Sequence, residues 1–138
     1  ATLLLVGDAP PKLQDHFKNS PNIIFHGRVQ YEEIPTLLSS ARYGLNIMPD
    51  VFPFNIQTAT KVLEYAAIGL PIITTDYQWI RNFEDQHQGK CFKLKSDMSN
   101  LSLEALSNFD FKTPNIENMS WDEVIRESDI FSFIENLS

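Results

Sequence analysis

The sequence predicts an α/β fold in which a parallel β-sheet is covered by helices on both faces. Short apolar runs closed by Gly, Pro or Asp recur along the chain, and such runs are typical of buried parallel strands. Amphipathic stretches of about 10 to 15 residues lie between them, as in βαβ units. At 138 residues, the chain has the size of one domain with a substantial core.

The apolar runs predict strands at residues 2–8, 22–27, 43–49, 70–76 and 89–94. Because crossovers between parallel strands are right-handed, the carboxyl ends of all strands are expected at one edge of the sheet. This is the edge at which open α/β sheets bind ligands.

Helices are predicted at residues 9–20, 31–42 and 58–68. Pro10 and Pro11 suit the start of the first of these helices. After residue 94 the sequence is polar, with one short helical piece. Ser120 and Glu123 then give the capping-box pattern that opens a closing C-terminal helix.

The composition excludes several classes of protein. Lys and Arg total 11 against 18 Asp and Glu, a net charge of −7, which disfavours nucleic-acid binding because that affinity depends on neutralising phosphates. The single cysteine, Cys91, excludes an intrachain disulfide, suits a reducing compartment and is predicted to be buried. The histidines His16, His26 and His87 lack metal-ligand spacing, and no apolar run approaches the roughly 20 residues of a membrane span.

The loop "NIQTATK", residues 55–61, is the most informative part of the expected ligand edge. It brings small residues to a helix N-terminus, where free N–H groups and the helix dipole favour an anion such as a phosphate. The alternative is that Gln57, Thr58 and Thr60 only cap the helix, with Gln57 or Thr58 as the N-cap.

Three polar residues, Thr60, Lys61 and Glu64, fall on one face of this helix. The opposite, apolar face is predicted to consist of Val62, Leu63, Ala66 and Ala67. Glu64 lies roughly 9 Å along the axis from Thr58, so its carboxylate could accept hydrogen bonds from a sugar attached to a bound diphosphate. The alternative is an exposed Lys61–Glu64 ion pair worth about 0.3–0.5 kcal/mol.

The order of motifs resembles a known family. "LLLVGD", "NIIFHGRVQYEEIPTLLSSARYGLNIMP", "KVLEYAAIGLPIITTD", "GKCFKL" and "SWDEV" follow one another as in the C-terminal half of a GT-B glycosyltransferase. The resemblance is to the retaining, nucleotide-sugar-dependent group called glycosyl transferases group 1, and it covers essentially the whole chain. It implies a Rossmann-like sheet.

This resemblance implies roles for particular residues. Glu64 matches the glutamate that holds the donor's ribose, and Lys61 matches a lysine that approaches the phosphates, so these two are the predicted catalytic residues. A turn whose amides meet the distal phosphate and the transferred sugar is matched by Gln57, Thr58, Ala59 and Thr60. The loop against the nucleobase is matched by Gly27, Arg28 and Val29. The helix from Trp121 resembles the one that returns to the N-terminal domain.

Two departures from the family pattern limit these expectations. Ile56 stands where the family usually has a first glutamate, and isoleucine cannot accept a hydrogen bond. The family's first strand–helix unit and its acceptor-binding N-terminal domain are also missing. Residues 1–138 are therefore expected to be one donor-binding domain, an excised piece of a longer protein that is inactive by itself.

The expected activity of the parent protein is sugar transfer from a nucleoside-diphosphate sugar to a saccharide or lipid-linked acceptor in polysaccharide or glycoconjugate biosynthesis. No metal and no further cofactor are expected. The parent is predicted to be cytoplasmic, with peripheral contact at the inner face of the membrane left open. The alternatives are a non-catalytic nucleotide-binding module and a nucleotide-sugar epimerase-like relative; a flavodoxin-like signalling domain would require an acidic cluster that Asp8, Asp50 and Asp76 do not make.

Overall fold

The computed structural model describes residues 1–128 and 130–136. The chain forms two units, Ala1–Leu37 and Leu38–Ser138. The first contains strand β1 (Leu3–Val6), helix α1 (Pro11–Phe17) and strand β2 (Ile23–Gly27). Its two strands are parallel, with Leu3 opposite Ile23 and Val6 opposite Gly27. As predicted, a proline occupies the first turn of α1.

A single turn of 3-10 helix, Tyr31–Glu33, leads into helix α2 (Ile34–Ser39), which spans the boundary between the two units. The turn begins with a capping box in which the Gln30 backbone N–H donates to the Glu33 carboxylate at 2.9 Å.

The second unit is built around strands β3 (Gly44–Asn46), β4 (Ile72–Thr75) and β5 (Phe92–Leu94). They form a parallel sheet in the order β3-β4-β5. Helix α3 (Thr60–Ala67) connects the first pair and helix α4 (Gln78–His87) connects the second. Three shorter helices follow, namely α5 (Leu103–Asn108), α6 (Trp121–Glu127) and α7 (Ile130–Glu135).

Side chains from adjacent positions of β4 pack into two separate clusters. Ile72 lies in the cluster that includes Val62 of α3 and Ile80 of α4, whereas Ile73 packs with Phe92 and with Leu106 of α5. Because successive strand residues point to opposite faces, helices cover both faces of this sheet. The predicted α/β fold with parallel strands and flanking helices is therefore confirmed.

The strands differ from the prediction in how they pair. Within the described residues, β1 pairs only with β2, and β3 pairs only with β4, so the strands form two sheets rather than one.

Three details of the predicted helices are corrected. The N-cap of α3 is Ala59, not Gln57 or Thr58, and no side chain of the described residues caps this helix. Ala67 is exposed rather than on the buried face. In α6, the Ser120 hydroxyl accepts from the Glu123 N–H at 3.3 Å, but the Glu123 carboxylate pairs with Arg126, so only half of the capping box forms.

The C-terminal segment forms two short helices, α6 and α7, where one closing helix was expected. The side chain of Trp121 lies outside those that the structure describes. In the described part of the chain, no helix is long and apolar enough to cross a membrane. Cys91 is buried, as predicted, with 4% of its surface exposed.

Candidate functional site

The carboxyl edge of the β3-β4-β5 sheet carries the residues between β3 and α3, here called the α3 loop (residues 47–59). Its start is fixed to the end of β4 by Thr75. The Thr75 hydroxyl accepts from the Met48 N–H at 2.9 Å and donates to the Met48 carbonyl at 2.6 Å. The loop therefore leaves the sheet from a defined position.

A buried polar network lies beside this connection. Asn46 and Thr74 are buried, and the Asn46 amide donates to the Thr74 hydroxyl and to the Tyr77 phenol oxygen, each at 3.0 Å. The Thr74 hydroxyl donates to the Thr75 carbonyl at 3.1 Å. Because buried polar groups are costly when unpaired, these bonds fix the ends of β3 and β4 relative to each other.

Arg81 of α4 joins two carboxylates at the same edge. It contacts Asp50 of the α3 loop at 3.1 Å and Asp76, directly after β4, also at 3.1 Å. Asp50 also accepts from the Gln78 N–H at 3.2 Å. The pKa of Asp50 is lowered, mainly by its hydrogen bond to Arg81. The pKa of Arg81 is raised, first by its hydrogen bond to Asp50 and second by the one to Asp76.

The middle of the α3 loop is a turn of 3-10 helix, Phe54–Ile56. The Asn55 N–H donates to the Val51 carbonyl at 3.0 Å, and the Gln57 N–H donates to the Phe54 carbonyl at 3.3 Å. In the described structure, the side-chain oxygen Oδ1 of Asn55 is buried without a hydrogen-bond partner. Native proteins have few such oxygens.

Helix α3 begins with free backbone donors. The Ala59 carbonyl accepts from the N–H groups of Val62 and Leu63, at 2.9 and 3.3 Å. Among the described residues, the N–H groups of residues 58–61 have no protein acceptor. Ala59 is only 5% exposed and belongs to the core cluster, so packing of its methyl group sets the start of the helix. Four free donors and the positive end of the helix dipole favour an anion here.

The predicted catalytic pair lies on the first two turns of α3. Thr60 and Lys61 are exposed and Glu64 is half-buried, as expected for one polar face. Within residues 1–128 and 130–136, however, no ion pair joins Lys61 to Glu64. The ion pair of the alternative interpretation is therefore not formed among the described residues, and the roles of Lys61 and Glu64 stay predictions.

Tyr65, next to Glu64, holds α3 against β3. Its hydroxyl donates to the Leu45 carbonyl at 3.3 Å, and a Cβ added to Gly44 would lie 2.4 Å from its ring. Burial is the main cause that raises the pKa of Tyr65, and the charge of Glu64 is the second. Sequence reasoning missed this contact, whose only signal is a glycine inside an apolar strand.

The remaining predicted residues lie in the first unit, at the carboxyl ends of β1 and β2. Gly27 has φ +80° and its carbonyl accepts from the Gly7 N–H at 2.8 Å. A cleft of about 250 Å³ opens here, lined by Gly7, Asp8, Ala9, Gln14, Phe25, His26 and Gly27. The Arg28 Nε donates to Asp8 at 2.7 Å, and Val29 is half-buried.

The structure thus brings Gln57, Thr58, Ala59, Thr60, Lys61 and Glu64 together at one helix start in the second unit. Gly27, Arg28 and Val29 belong to the first unit, so their participation in a common site stays a prediction. In the part of the chain that is described, no group of three His, Cys, Asp or Glu side chains could hold a metal ion.

A sequence model of the family described as "Glycosyl transferases group 1" matches residues 1–107. The chain belongs to this family. The match confirms the resemblance found in the sequence, includes every predicted site residue and ends before α6 and α7. Membership of a group 1 glycosyltransferase family indicates glycosyl transfer as the general activity. Comparisons with curated proteins and with solved structures found no match.

Proposed function

We propose that this chain is the donor-binding domain of a glycosyltransferase that uses a nucleoside-diphosphate sugar. The parent protein would transfer the sugar to a saccharide or lipid-linked acceptor during polysaccharide or glycoconjugate biosynthesis. The observation that carries the proposal is the start of α3, where the N–H groups of residues 58–61 have no acceptor among the described residues and Glu64 follows on the first turns of the helix. This helix lies within the family match.

The free N–H groups of residues 58–61 suit the oxygen atoms of the donor diphosphate. Their side chains are small at Thr58, Ala59 and Thr60, so a phosphate can approach the backbone closely. Lys61 is exposed and adds a positive charge beside them. When the sugar leaves, negative charge develops on the diphosphate, and preorganised donors and cations stabilise that charge.

Glu64 is the proposed acceptor for the ribose hydroxyls of the donor. It lies one turn beyond Thr60, roughly 6 Å along the helix axis. No hydrogen bond or ion pair to the Glu64 carboxylate forms among the described residues, and a carboxylate with free lone pairs can accept two hydroxyl groups at once. Gly27, Arg28 and Val29 are proposed to lie against the nucleobase.

The proposed chemistry requires neither a metal nor a further cofactor. The cations that neutralise the rest of the diphosphate would come from the first strand–helix unit of this domain in the parent protein, and the wall that binds the acceptor from an N-terminal domain. We therefore expect the 138-residue chain to bind nucleotide without catalysing transfer. Cytoplasmic location, with peripheral membrane contact through the N-terminal domain, is part of the same proposal.

Ile56 favours a second candidate. Its apolar side chain is 50% exposed in the α3 loop, at the position of the family's usual first glutamate. A domain with this change could bind a nucleotide sugar without transferring it, or could serve an epimerase-like relative. Detection of free or epimerised sugar in place of a glycoside, with the parent protein, would distinguish these functions from transfer.

The experiment that tests donor binding is ligand-observed NMR of this chain with UDP, GDP and ADP. We expect one nucleotide to bind and the Glu64→Gln variant to bind it at least about tenfold more weakly, since an amide cannot replace both lone-pair contacts of the carboxylate. Glu104→Gln is the matched control, because Glu104 is an exposed glutamate in the first turn of α5.

Two outcomes would contradict the proposal. Binding of none of the three nucleotides at millimolar concentration would count against a donor site in this chain. Equal affinity of wild type and Glu64→Gln would show that the ribose is not held by Glu64.

A further inference from the structure

Apolar packing holds the α3 loop near its two ends, where Met48 packs against the core and Ala59 belongs to it, and does little between them. Five of its large apolar residues are about half exposed or more, with Phe52 at 79%: Ile47, Val51, Phe52, Phe54 and Ile56. Burial of apolar surface is the main force that orders chain segments, and most of this surface stays in water. The position of the middle of the loop therefore depends on its polar contacts.

Asp50 is the charged anchor of this loop. Its two carboxylate oxygens are used by different partners, since Oδ1 accepts from the Gln78 N–H and Oδ2 accepts from Arg81. The other arm of the Arg81 guanidinium contacts Asp76. A planar guanidinium can bridge two carboxylates in this way, whereas the ammonium of lysine is a single point of charge. Arg81 thus ties the loop to the segment that follows β4.

Few residues separate Asp50 from the free N–H groups of residues 58–61. Asn55 helps to lower the pKa of Asp50, and its backbone N–H donates to the Val51 carbonyl at 3.0 Å, next to Asp50 in the chain. The Gln57 N–H donates to the Phe54 carbonyl, and residues 58–61 follow directly. A shift of Asp50 would therefore move the segment that leads to the proposed anion site.

We propose that Arg81 is a positioning residue, which orders the α3 loop through Asp50 and so sets the direction of the N–H groups of residues 58–61. This inference rests on the proposed function only where it concerns the donor diphosphate. The side chains of Arg81 and Asp50 are 45% and 40% exposed, so their contribution to global stability is small. Loss of Arg81 should disturb the loop and leave the fold intact.

The experiment compares wild type with Arg81→Gln, Arg81→Lys and the control Arg42→Gln. Arg42 is exposed in the same unit, and within the described residues it has no ion pair. Two quantities are measured for each protein. One is the {1H}–15N heteronuclear NOE of residues 50–61, and the other is the affinity for inorganic pyrophosphate and for UDP, GDP and ADP.

We expect Arg81→Gln to lower the NOE values of the α3 loop while those of β4 and α4 stay at wild-type values. Its affinity for pyrophosphate and for the preferred nucleotide should fall about three- to tenfold. The NOE values and affinities of Arg81→Lys should lie between those of wild type and Arg81→Gln, because lysine retains only one of the two contacts. Arg42→Gln should behave as wild type.

Unchanged NOE values or unchanged pyrophosphate affinity in Arg81→Gln would overturn the inference. A wild-type chain that binds pyrophosphate but no nucleoside diphosphate would overturn the proposed function alone, because the pyrophosphate comparison would still decide the role of Arg81. A wild-type chain that binds neither would overturn both.

Discussion

The hydroxyl of Thr75 makes two hydrogen bonds with the backbone of Met48, accepting from its N–H at 2.9 Å and donating to its carbonyl at 2.6 Å. The backbone pairing of β3 with β4 ends one step earlier, at Asn46 opposite Thr74. A side chain therefore continues the connection where the strand ladder stops. This is the point at which the α3 loop leaves the sheet.

Replacement of Thr75 by valine should test this connection. Valine has nearly the same shape but removes both hydrogen bonds, and the partly buried backbone groups of Met48 would lose these partners. We expect the free energy of unfolding to fall by about 1–3 kcal/mol, as measured by urea denaturation.

The control for this change is Thr75→Ser, which keeps the hydroxyl and should stay closer to wild type. If Thr75→Val and Thr75→Ser lost the same free energy, the effect would come from altered packing and not from the two hydrogen bonds.

The elements of the fold that follow from local pattern could be predicted from the sequence. Each predicted strand contains an observed strand, because buried apolar runs are a local signal. Helix α4 was implied only by the alternation of strands and helices, although Ile80, Phe83 and His87 follow the helical period. The start of α3 was misplaced because the burial of Ala59, a tertiary contact, outweighed the capping preference of threonine.

The candidate site was predictable to the same extent. The placement of residues 57–64 at one helix start could be predicted because small residues at a helix start and a polar face are patterns within a few residues of one another; their roles stay a prediction. Arg81 was missed because its partners are remote, Asp50 being 31 residues away. No local pattern predicts which charges meet at a sheet edge.

Gly44 should not tolerate a larger residue. A Cβ at this position would lie 2.4 Å from the Cδ2 atom of Tyr65, so Gly44→Ala would force the ring away from β3. We expect the free energy of unfolding to fall by about 1–3 kcal/mol, as for other overpacked cores. Because Tyr65 lies on α3, the nucleotide affinity of Gly44→Ala should fall together with its stability.

A double-mutant cycle with Tyr65→Ala supplies the control. Removal of the ring makes room for the new methyl group, so Gly44→Ala should cost less in the Tyr65→Ala background. If the two changes were additive, the loss would not arise from contact between these residues.

Cys91 should be unreactive in the folded protein. Burial, followed by the nearby charge of Glu84, raises the pKa of its thiol from 9.0 to about 12, and only the thiolate reacts readily with disulfide reagents. We expect no measurable labelling by an aromatic disulfide at pH 8 in buffer, and complete labelling in denaturing urea.

The same raised pKa makes stability depend on pH in alkaline solution. Below pH 9 the thiol is protonated in both folded and unfolded chains, so its contribution is fully present. Between pH 9 and 12 the unfolded chain releases the proton and the folded chain keeps it, so the free energy of unfolding falls by up to about 1.4 kcal/mol per pH unit. Burial also raises the pKa of Tyr65 and Tyr77, which adds to the decline.

The contribution of Cys91 is therefore the difference between wild type and Cys91→Ala in urea denaturation at pH 8 and pH 10. A decline of equal steepness in both proteins would show that the thiol does not carry it.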